Sequence, residues 1–174
     1  MTEILDIVNE NDEVIGQMKR DDADVKDRKH IVRKIFIGFY TPDKQIILQL
    51  RSKTKKSNPD KLTVTTSGHV ESGWSYDDTA VKESFEETGI RIDPTKLKSL
   101  GVVFDRDNYD MRAIYAYPYD GDIHDLKIED GDGAGFIVMS MNDLRRQRID
   151  NPEKFVPFIT SQYSDILFDY IEQN

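Results

Sequence analysis

The segment that decides the fold is GHVESGWSYDDTAVKESFEETGI, residues 68–90. Its glycine-rich start leads to Ser75, a good N-cap residue, and Asp78 stands three positions later, as in a capping box. Gly89 is typical of the residue that stops a helix in the left-handed conformation. The spacing therefore predicts a helix between Ser75 and Gly89.

The predicted helix has two chemically different sides. At about 100° per residue, one side carries Ala80, Val81, Ser84, Phe85 and Thr88, which we expect to pack inward. The other carries Glu83, Glu86 and Glu87 at i, i+3 and i+4, where neighbouring like charges disfavour a helix by about 0.2–0.5 kcal/mol per pair. These residues could form a solvated acidic face. A Mg²⁺ or Mn²⁺ ion, which prefers such oxygen ligands, would relieve the repulsion.

Residues 68–90 resemble the signature of the Nudix family. That signature runs Gly, five residues, Glu, seven residues, Arg-Glu, an apolar residue, any residue, Glu-Glu, any residue, Gly and an apolar residue. The corresponding positions here are Gly68, Trp74, Lys82, Glu83, Ser84, Glu86, Glu87, Gly89 and Ile90. So long a pattern at fixed spacing is a specific signal.

Three positions depart from the signature. Trp74 replaces the first Glu, Lys82 replaces the Arg and Ser84 replaces an apolar residue. In the family that Glu and Arg commonly pair and brace the loop against the helix, so the joint replacement removes a pair without stranding one charge. Trp74 and Lys82 could form a cation–π contact instead, or Trp74 could simply be packed.

The resemblance implies a divalent-metal-dependent hydrolase that cleaves a diphosphate linkage. It assigns Glu83, Glu86 and Glu87 as catalytic metal ligands, with the Gly68 carbonyl as a further oxygen ligand and Mg²⁺ or Mn²⁺ as the ion. Family members often place another carboxylate in a later loop, and Asp132 is the candidate here; its alternative is an exposed Gly/Asp turn. The implied substrate is a nucleoside diphosphate derivative or a related compound.

Other positions look like the branch of the family that includes isopentenyl-diphosphate isomerase. They are His30, Arg51-Ser52 and Thr65-Thr66-Ser67-Gly68-His69. The isomerase has a proton-transferring cysteine where this chain has Ser67, and a hydroxyl is a much poorer acid near neutral pH. This replacement and the complete set of Glu83, Glu86 and Glu87 favour hydrolysis. The alternatives are an isomerase-like enzyme, with His30 and His69 as metal ligands, and a non-catalytic binding module with Trp74 over the site.

The rest of the chain predicts an α+β protein with a mostly β centre flanked by helices and an N-terminal β-hairpin. The resemblance implies that this is the Nudix fold, a mixed β-sheet sandwiched between helices (α/β/α). Strand patterns at 4–8 and 13–18 flank a turn, and 31–40 and 45–50 form a second hairpin. Further strands are expected at 62–66, 99–104, 112–117 and 136–141, and helices at 142–148 and 161–172. The length of 174 residues fits a single Nudix domain over 1–174.

A cationic loop follows the second hairpin. Residues 51–61 carry five Lys and Arg side chains, of which Arg51, Lys55 and Lys61 are candidates for binding substrate phosphate. The alternative is that they are solvated loop charges.

Composition narrows the partners and the compartment. The net charge of −9 argues against a nucleic acid polymer as ligand. The chain has no Cys, which excludes a thiolate metal site and fits a reducing compartment. Because the sequence shows neither a basic leader with an apolar run nor a membrane-length apolar stretch, we expect a cytoplasmic protein without a membrane partner. A homodimer would form through the N-terminal hairpin or the C-terminal helix at 165–171.

Overall fold

A mixed β-sheet forms the centre of the structure. This computed structural model describes residues 3–23, 29–128 and 133–174. The strands are β1 (Ile4–Val8), β2 (Val14–Lys19), β3 (Ile31–Tyr40), β4 (Ile46–Arg51), β5 (Leu62–Val64), β6 (Thr66–His69), β7 (Lys98–Asp105), β8 (Asp110–Pro118) and β9 (Gly133–Met139). The helices are α1 (Arg20–Ala23), α2 (Tyr76–Thr88), α3 (Met141–Asp150), α4 (Pro157–Thr160) and α5 (Ser164–Gln173), with 3₁₀ turns at Ile123–Asp125 and Pro152–Lys154.

Strand β3 lies at the centre of the sheet. One run of neighbours is β2-β1-β3-β4-β5, while β6 and β8 also pair with β3, β7 pairs with β8 and β9 pairs with β4. The β3–β8 pair is parallel, with Val32 opposite Asp110 and Tyr40 opposite Pro118. The other pairs are antiparallel. Hence the sheet is mixed, as the sequence predicts.

Alternation along β3 builds a core on each face of the sheet. Ile35, Ile37 and Phe39 point to one face, where they pack with Ala80 of α2. Phe36 points to the other face, where the core includes residues of α3, α4 and α5, namely Leu144, Phe158, Ile159, Leu167, Phe168 and Ile171. The predicted arrangement of a sheet between two helical layers is therefore confirmed.

Two of the predicted extended segments pair with other strands than their patterns indicate. The strand expected at 62–66 is two strands, because β5 pairs with β4 whereas β6 pairs with β3. The second hairpin pairs only beside its turn, at Phe39 with Ile47 and Tyr40 with Ile46. Beyond those pairs β3 continues against β6 while β4 continues against β5 and β9.

The N-terminal hairpin is tied to the segment that precedes α2. Leu5 forms a bridge with Glu71, and the backbone N–H of Ser72 donates to the carbonyl of Ile4 at 2.8 Å. The turn of the hairpin is held as well, because Asp12 accepts from Arg33 at 2.6 Å. This attachment brings the start of the chain beside the signature segment.

None of the helices in the described ranges combines the length and the apolar character that crossing a membrane requires.

Candidate active site

Both ends of helix α2 are capped as its sequence predicts. The Ser75 hydroxyl accepts from the backbone N–H of Asp78 at 3.1 Å and donates to the Asp78 carboxylate at 2.6 Å. Gly89 adopts φ 71°, and its N–H donates to the carbonyl of Phe85. The caps fix the length and rotation of the helix that carries the three glutamates.

The helix packs on the sheet through small side chains. Thr79, Ala80, Ser84 and Thr88 are its buried residues. The inward orientation expected for Phe85 is wrong: its side chain is 43% exposed, and the Arg91 guanidinium lies 4.5 Å from its ring centroid. Since the buried residues of α2 are small, the helix backbone can approach the sheet closely, and this rotation leaves the phenyl ring on the outer side.

The structure brings Glu83, Glu86 and Glu87 to one pocket of about 330 Å³, together with Ser67 and Gly68 of β6. Glu87 accepts from the backbone N–H of Ser67 at 2.9 Å, so this carboxylate is bonded to the neighbouring strand. Glu83 is more enclosed than Glu86, with a side chain that is 16% exposed against 48% for Glu86. One wall of the pocket is therefore acidic.

Gly68 allows β6 to approach Glu83. A Cβ atom at this position would lie 2.6 Å from the Glu83 carboxyl carbon, closer than real side chains allow. Because glycine has no Cβ, its backbone lies directly against the carboxylate. The Gly68 carbonyl could thus join the glutamates as an oxygen donor.

The enclosure of Glu83 changes the pKa of its carboxyl group. Burial is the largest cause and raises the pKa of this carboxyl to about 7, while Lys82 opposes the rise and Glu86 adds to it. The folded protein therefore favours the protonated carboxyl at pH values where an exposed Glu is ionised.

Lys82 lies among the acidic side chains. Its ammonium nitrogen is 3.0 Å from a carboxylate oxygen of Glu86, 3.2 Å from one of Glu71 and 3.6 Å from one of Glu83. Burial disfavours the charged ammonium, but the bond to Glu86 and the nearby Glu83 and Glu71 carboxylates raise the pKa of Lys82 overall. The Trp74 ring centroid is 6.0 Å away, at the outer limit of a cation–π contact.

Cationic side chains complete the pocket. Lys55 is one of the lining residues, as is Arg20, which follows the N-terminal hairpin and pairs with Glu3 at 2.8 Å. The sequence pattern does not indicate Arg20 as a site residue, since its place in the pocket depends on how the hairpin packs. The Leu5–Glu71 bridge that determines this packing joins residues 66 positions apart.

The other two predicted phosphate-binding residues, Arg51 and Lys61, are not among the residues that line the pocket. Arg51 donates to the carbonyls of Asn58 at 3.1 Å and Ser57 at 2.9 Å, so its guanidinium organises the loop that it begins. Lys61 ends that loop, where its carbonyl accepts from the Arg51 N–H at 3.0 Å, and its side chain is not part of the described pocket lining. The third predicted residue, Lys55, lines the same pocket as the glutamates.

The remaining predicted metal ligands are Asp132, His69 and His30. Asp132 lies outside the described residues. His69 is in β6 opposite Lys34, and burial, followed by the charges of Lys34 and Arg20, lowers the pKa of His69 well below its usual range. His30 is exposed. Neither histidine contributes to the pocket lining described above.

The donor set suits a hard divalent ion. Three carboxylates and the Gly68 carbonyl are the oxygen ligands that Mg²⁺ and Mn²⁺ prefer. Among residues 3–23, 29–128 and 133–174, no three His, Asp or Glu side chains stand ready to share an ion. The three glutamates of the pocket have other partners. Glu83 and Glu86 face the Lys82 ammonium, and Glu87 accepts a hydrogen bond from the backbone N–H of Ser67. Binding of an ion by these residues would require the carboxylates to turn from these partners.

A second hollow, of about 370 Å³, adjoins the pocket on the outer side of α2. It shares Lys82 and Glu86 with the pocket, and its other lining residues are Val81, Phe85, Arg91 and Ile92. Mostly apolar surface therefore begins directly beside the acidic wall.

Comparisons with known proteins agree with this geometry. A sequence model of the NUDIX domain matches residues 29–159. An uncharacterized Nudix hydrolase of Streptomyces coelicolor is 40% identical over 87 residues, or 50% of this chain and 47% of the relative, so the match spans about half of that protein. An isopentenyl-diphosphate Delta-isomerase of Pectobacterium atrosepticum is 24% identical over 167 residues, 95% of this chain and 92% of the relative. A crystal structure of a Deinococcus radiodurans protein superposes with a TM-score of 0.77 at 25% identity, covering 98% of each chain.

Proposed function

The chain belongs to the Nudix family, and on that premise we propose that it is a divalent-metal-dependent hydrolase cleaving a diphosphate linkage in a nucleoside diphosphate derivative or a related compound. One observation carries the proposal. The pocket is lined both by the glutamates of α2 and by the cationic Arg20 and Lys55. Such a pocket suits a cation and a polyanion bound side by side.

In this proposal Glu83, Glu86 and Glu87, the Gly68 carbonyl and Asp132 hold Mg²⁺ or Mn²⁺. The ion, when bound, acidifies water and neutralises charge on the diphosphate oxygens. One of the three helix glutamates accepts the proton of the attacking water. The enclosure of Glu83 and the bond from Ser67 to Glu87 support this assignment, because they place two of the carboxylates inside the pocket.

The cationic residues orient the substrate. Lys55 and Arg20 contact phosphate oxygens in our proposal, because both line the pocket. Arg51 and Lys61 act through the loop between them, whose carbonyls Arg51 holds. The group attached to the diphosphate would occupy the neighbouring hollow, where Phe85 and Arg91 offer an aromatic ring and a cation.

A panel of nucleoside diphosphate derivatives, dinucleoside polyphosphates and isoprenoid diphosphates, each incubated with Mg²⁺, Mn²⁺ or a chelator, tests the proposal. We expect metal-dependent release of phosphate or nucleoside monophosphate from at least one compound. Glu86→Gln and Glu87→Gln should each lower turnover by about 100-fold or more while remaining folded. Glu10→Gln is the matched control, because Glu10 is an exposed residue paired with Arg106 at 2.9 Å. Full activity in both glutamine variants would refute the assigned site.

The similarity to an isopentenyl-diphosphate isomerase over 95% of this chain makes isomerisation the second candidate. Ser67 is the residue that disfavours it. Ser67 lines the pocket where the isomerase signature has cysteine, and its hydroxyl is a poor proton donor near neutral pH. We expect no conversion of isopentenyl diphosphate to its isomer when the reaction is followed by NMR. Conversion that Ser67→Ala abolishes would favour the isomerase over the hydrolase.

A further inference from the structure

The Lys82 ammonium lies between two kinds of acidic partner. Glu83 and Glu86 belong to α2, and both line the pocket. Glu71 belongs to the preceding loop and does not belong to the proposed ligand set. Its backbone is anchored, because it bridges Leu5 and its carbonyl accepts from the N–H of Trp74 at 3.0 Å. Lys82 therefore contacts a carboxylate on an anchored stretch of backbone as well as two that the proposed ion needs.

Lys82 and a divalent ion must compete for Glu83 and Glu86. The ammonium is 3.6 Å from a Glu83 oxygen and 3.0 Å from a Glu86 oxygen, so it contacts the carboxylates that the proposed ion would also need. Two cations sharing these carboxylates would repel each other strongly in a partly enclosed pocket. When an ion binds, Lys82 has to withdraw, and Glu71 at 3.2 Å is the partner it can keep.

We propose that Glu71 is a positioning residue that holds the Lys82 ammonium when a divalent ion takes Glu83 and Glu86, and that the Glu71–Lys82 pair thereby sets the metal affinity of the site. This inference rests on the proposed function, since it assumes the same ligands. The pair would also brace the loop against α2, at Glu71 instead of at position 74.

Titration of Mn²⁺ into the substrate-free protein, followed by electron paramagnetic resonance, tests the proposal. Glu71→Gln should weaken Mn²⁺ binding by about threefold to tenfold, because Lys82 then keeps Glu83 and Glu86 as its partners. Lys82→Gln should tighten binding, because the competing cation is gone. The double variant Glu71→Gln/Lys82→Gln keeps the net charge, and it should bind Mn²⁺ about threefold more tightly than the wild type.

The direction in which the double variant changes the Mn²⁺ affinity decides between explanations. If Lys82 acts only as a brace, removal of the pair weakens Mn²⁺ binding, and if only overall charge matters, the affinity stays unchanged; either result overturns the proposal. Glu10→Gln controls for the loss of one distant negative charge and should leave the affinity unchanged. Absence of Mn²⁺ binding by the wild type would refute the metal site itself. Normal Mn²⁺ binding that the Glu71 and Lys82 variants fail to alter would refute only the proposed role of the pair. Thermal denaturation checks that each variant is folded.

Discussion

At the scale of single residues, the contact between Gly68 and Glu83 gives a sharp prediction. A Cβ at Gly68 would lie 2.6 Å from the Glu83 carboxyl carbon, so Gly68→Ala must displace that side chain. We expect a stability cost of about 1 kcal/mol, because Glu83 can rotate away. On the proposed function, turnover should fall by about 100-fold, since Glu83 is then a metal ligand and small displacements of catalytic groups are costly.

Gly16→Ala is the matched control for this substitution. A Cβ at Gly16 would meet Ile7 at 3.6 Å, an ordinary contact. Its activity should equal that of the wild type. A Gly68→Ala protein with unchanged kcat and metal affinity would show that Glu83 need not occupy its observed position.

The titration of Glu83 predicts a pH-dependent stability. Its pKa in the folded protein is raised from 4.5 to about 7, so its contribution to stability is complete below pH 4.5 and is lost as the pH rises through 7. Glu83→Gln resembles the protonated carboxyl. In a chelator-containing buffer this variant should match the wild type near pH 4.5 and exceed its free energy of unfolding by up to about 3 kcal/mol at pH 8.

Urea denaturation of both proteins between pH 4.5 and 8 measures that difference. Glu10→Gln, in an exposed pair, should show no comparable dependence on pH. A constant difference between Glu83→Gln and the wild type would contradict the enclosure of this carboxylate.

Sequence reasoning reached the three glutamates because their spacing on one helix is a local property. It missed Glu71 as the partner of Lys82, since that pair depends on how the loop folds over α2. It also missed Arg20, whose place in the pocket depends on a packed hairpin. Local periodicity contains no information about such contacts between separate segments.

At the scale of secondary-structure elements, two helices start with the same serine cap. Ser75 accepts from Asp78 N–H on α2, and Ser140 accepts from Asp143 N–H on α3, each at 3.1 Å. Ser75→Ala and Ser140→Ala should each lower the free energy of unfolding by about 1 kcal/mol. The caps do not share partners, so the double variant should lose about 2 kcal/mol in urea denaturation. A loss well below the sum would show that the two ends are coupled.

Most element boundaries were accessible from local signals. The Ser75 and Gly89 caps predicted α2, and its observed range is Tyr76–Thr88. The orientation of Phe85 was not predicted, because a helical wheel cannot choose between a rotation that buries this ring and one that buries Thr79. The division between β5 and β6 was hidden too, since an unbroken extended pattern does not identify the partner of each strand.

At the scale of the whole molecule, a buried ion cluster joins the sheet to the helical layer that contains α4. Arg112 of β8 pairs with Asp105 and with Asp110, and the latter also pairs with Lys34 at 2.8 Å. The Arg112 guanidinium also lies 5.7 Å from the ring centroid of Phe158. All the charges of Arg112, Asp105 and Asp110 are enclosed, so each depends on its partners.

Replacement of Arg112 by Met should therefore cost about 3 kcal/mol or more, because it leaves acidic groups buried without their cation. Arg106→Met is the control: its pair with Glu10 is exposed, and we expect a loss below about 1 kcal/mol. Urea denaturation with an unchanged m-value would establish the comparison. Equal losses in the two variants would contradict the structural importance of the buried cluster.

The global arrangement was only partly predictable. Alternation along the strands and the apolar faces of the helices indicated a sheet between helices. The parallel pairing of β3 with β8 was not indicated, because it joins segments such as Val32 and Asp110 that are far apart in the chain. The two-sided burial of β3 is nevertheless consistent with its nearly continuous apolar sequence.

The first hairpin has a consequence for how this molecule could be altered. It precedes the matched NUDIX segment at 29–159, yet Glu3 before its first strand and Arg20 after its second line the pocket. A chimera that exchanges residues 3–20 for the equivalent ribbon of a relative would change that wall and leave the glutamate helix intact. On the proposed function, ligand preference and hydrolytic chemistry can thus diversify on separate segments of one polypeptide.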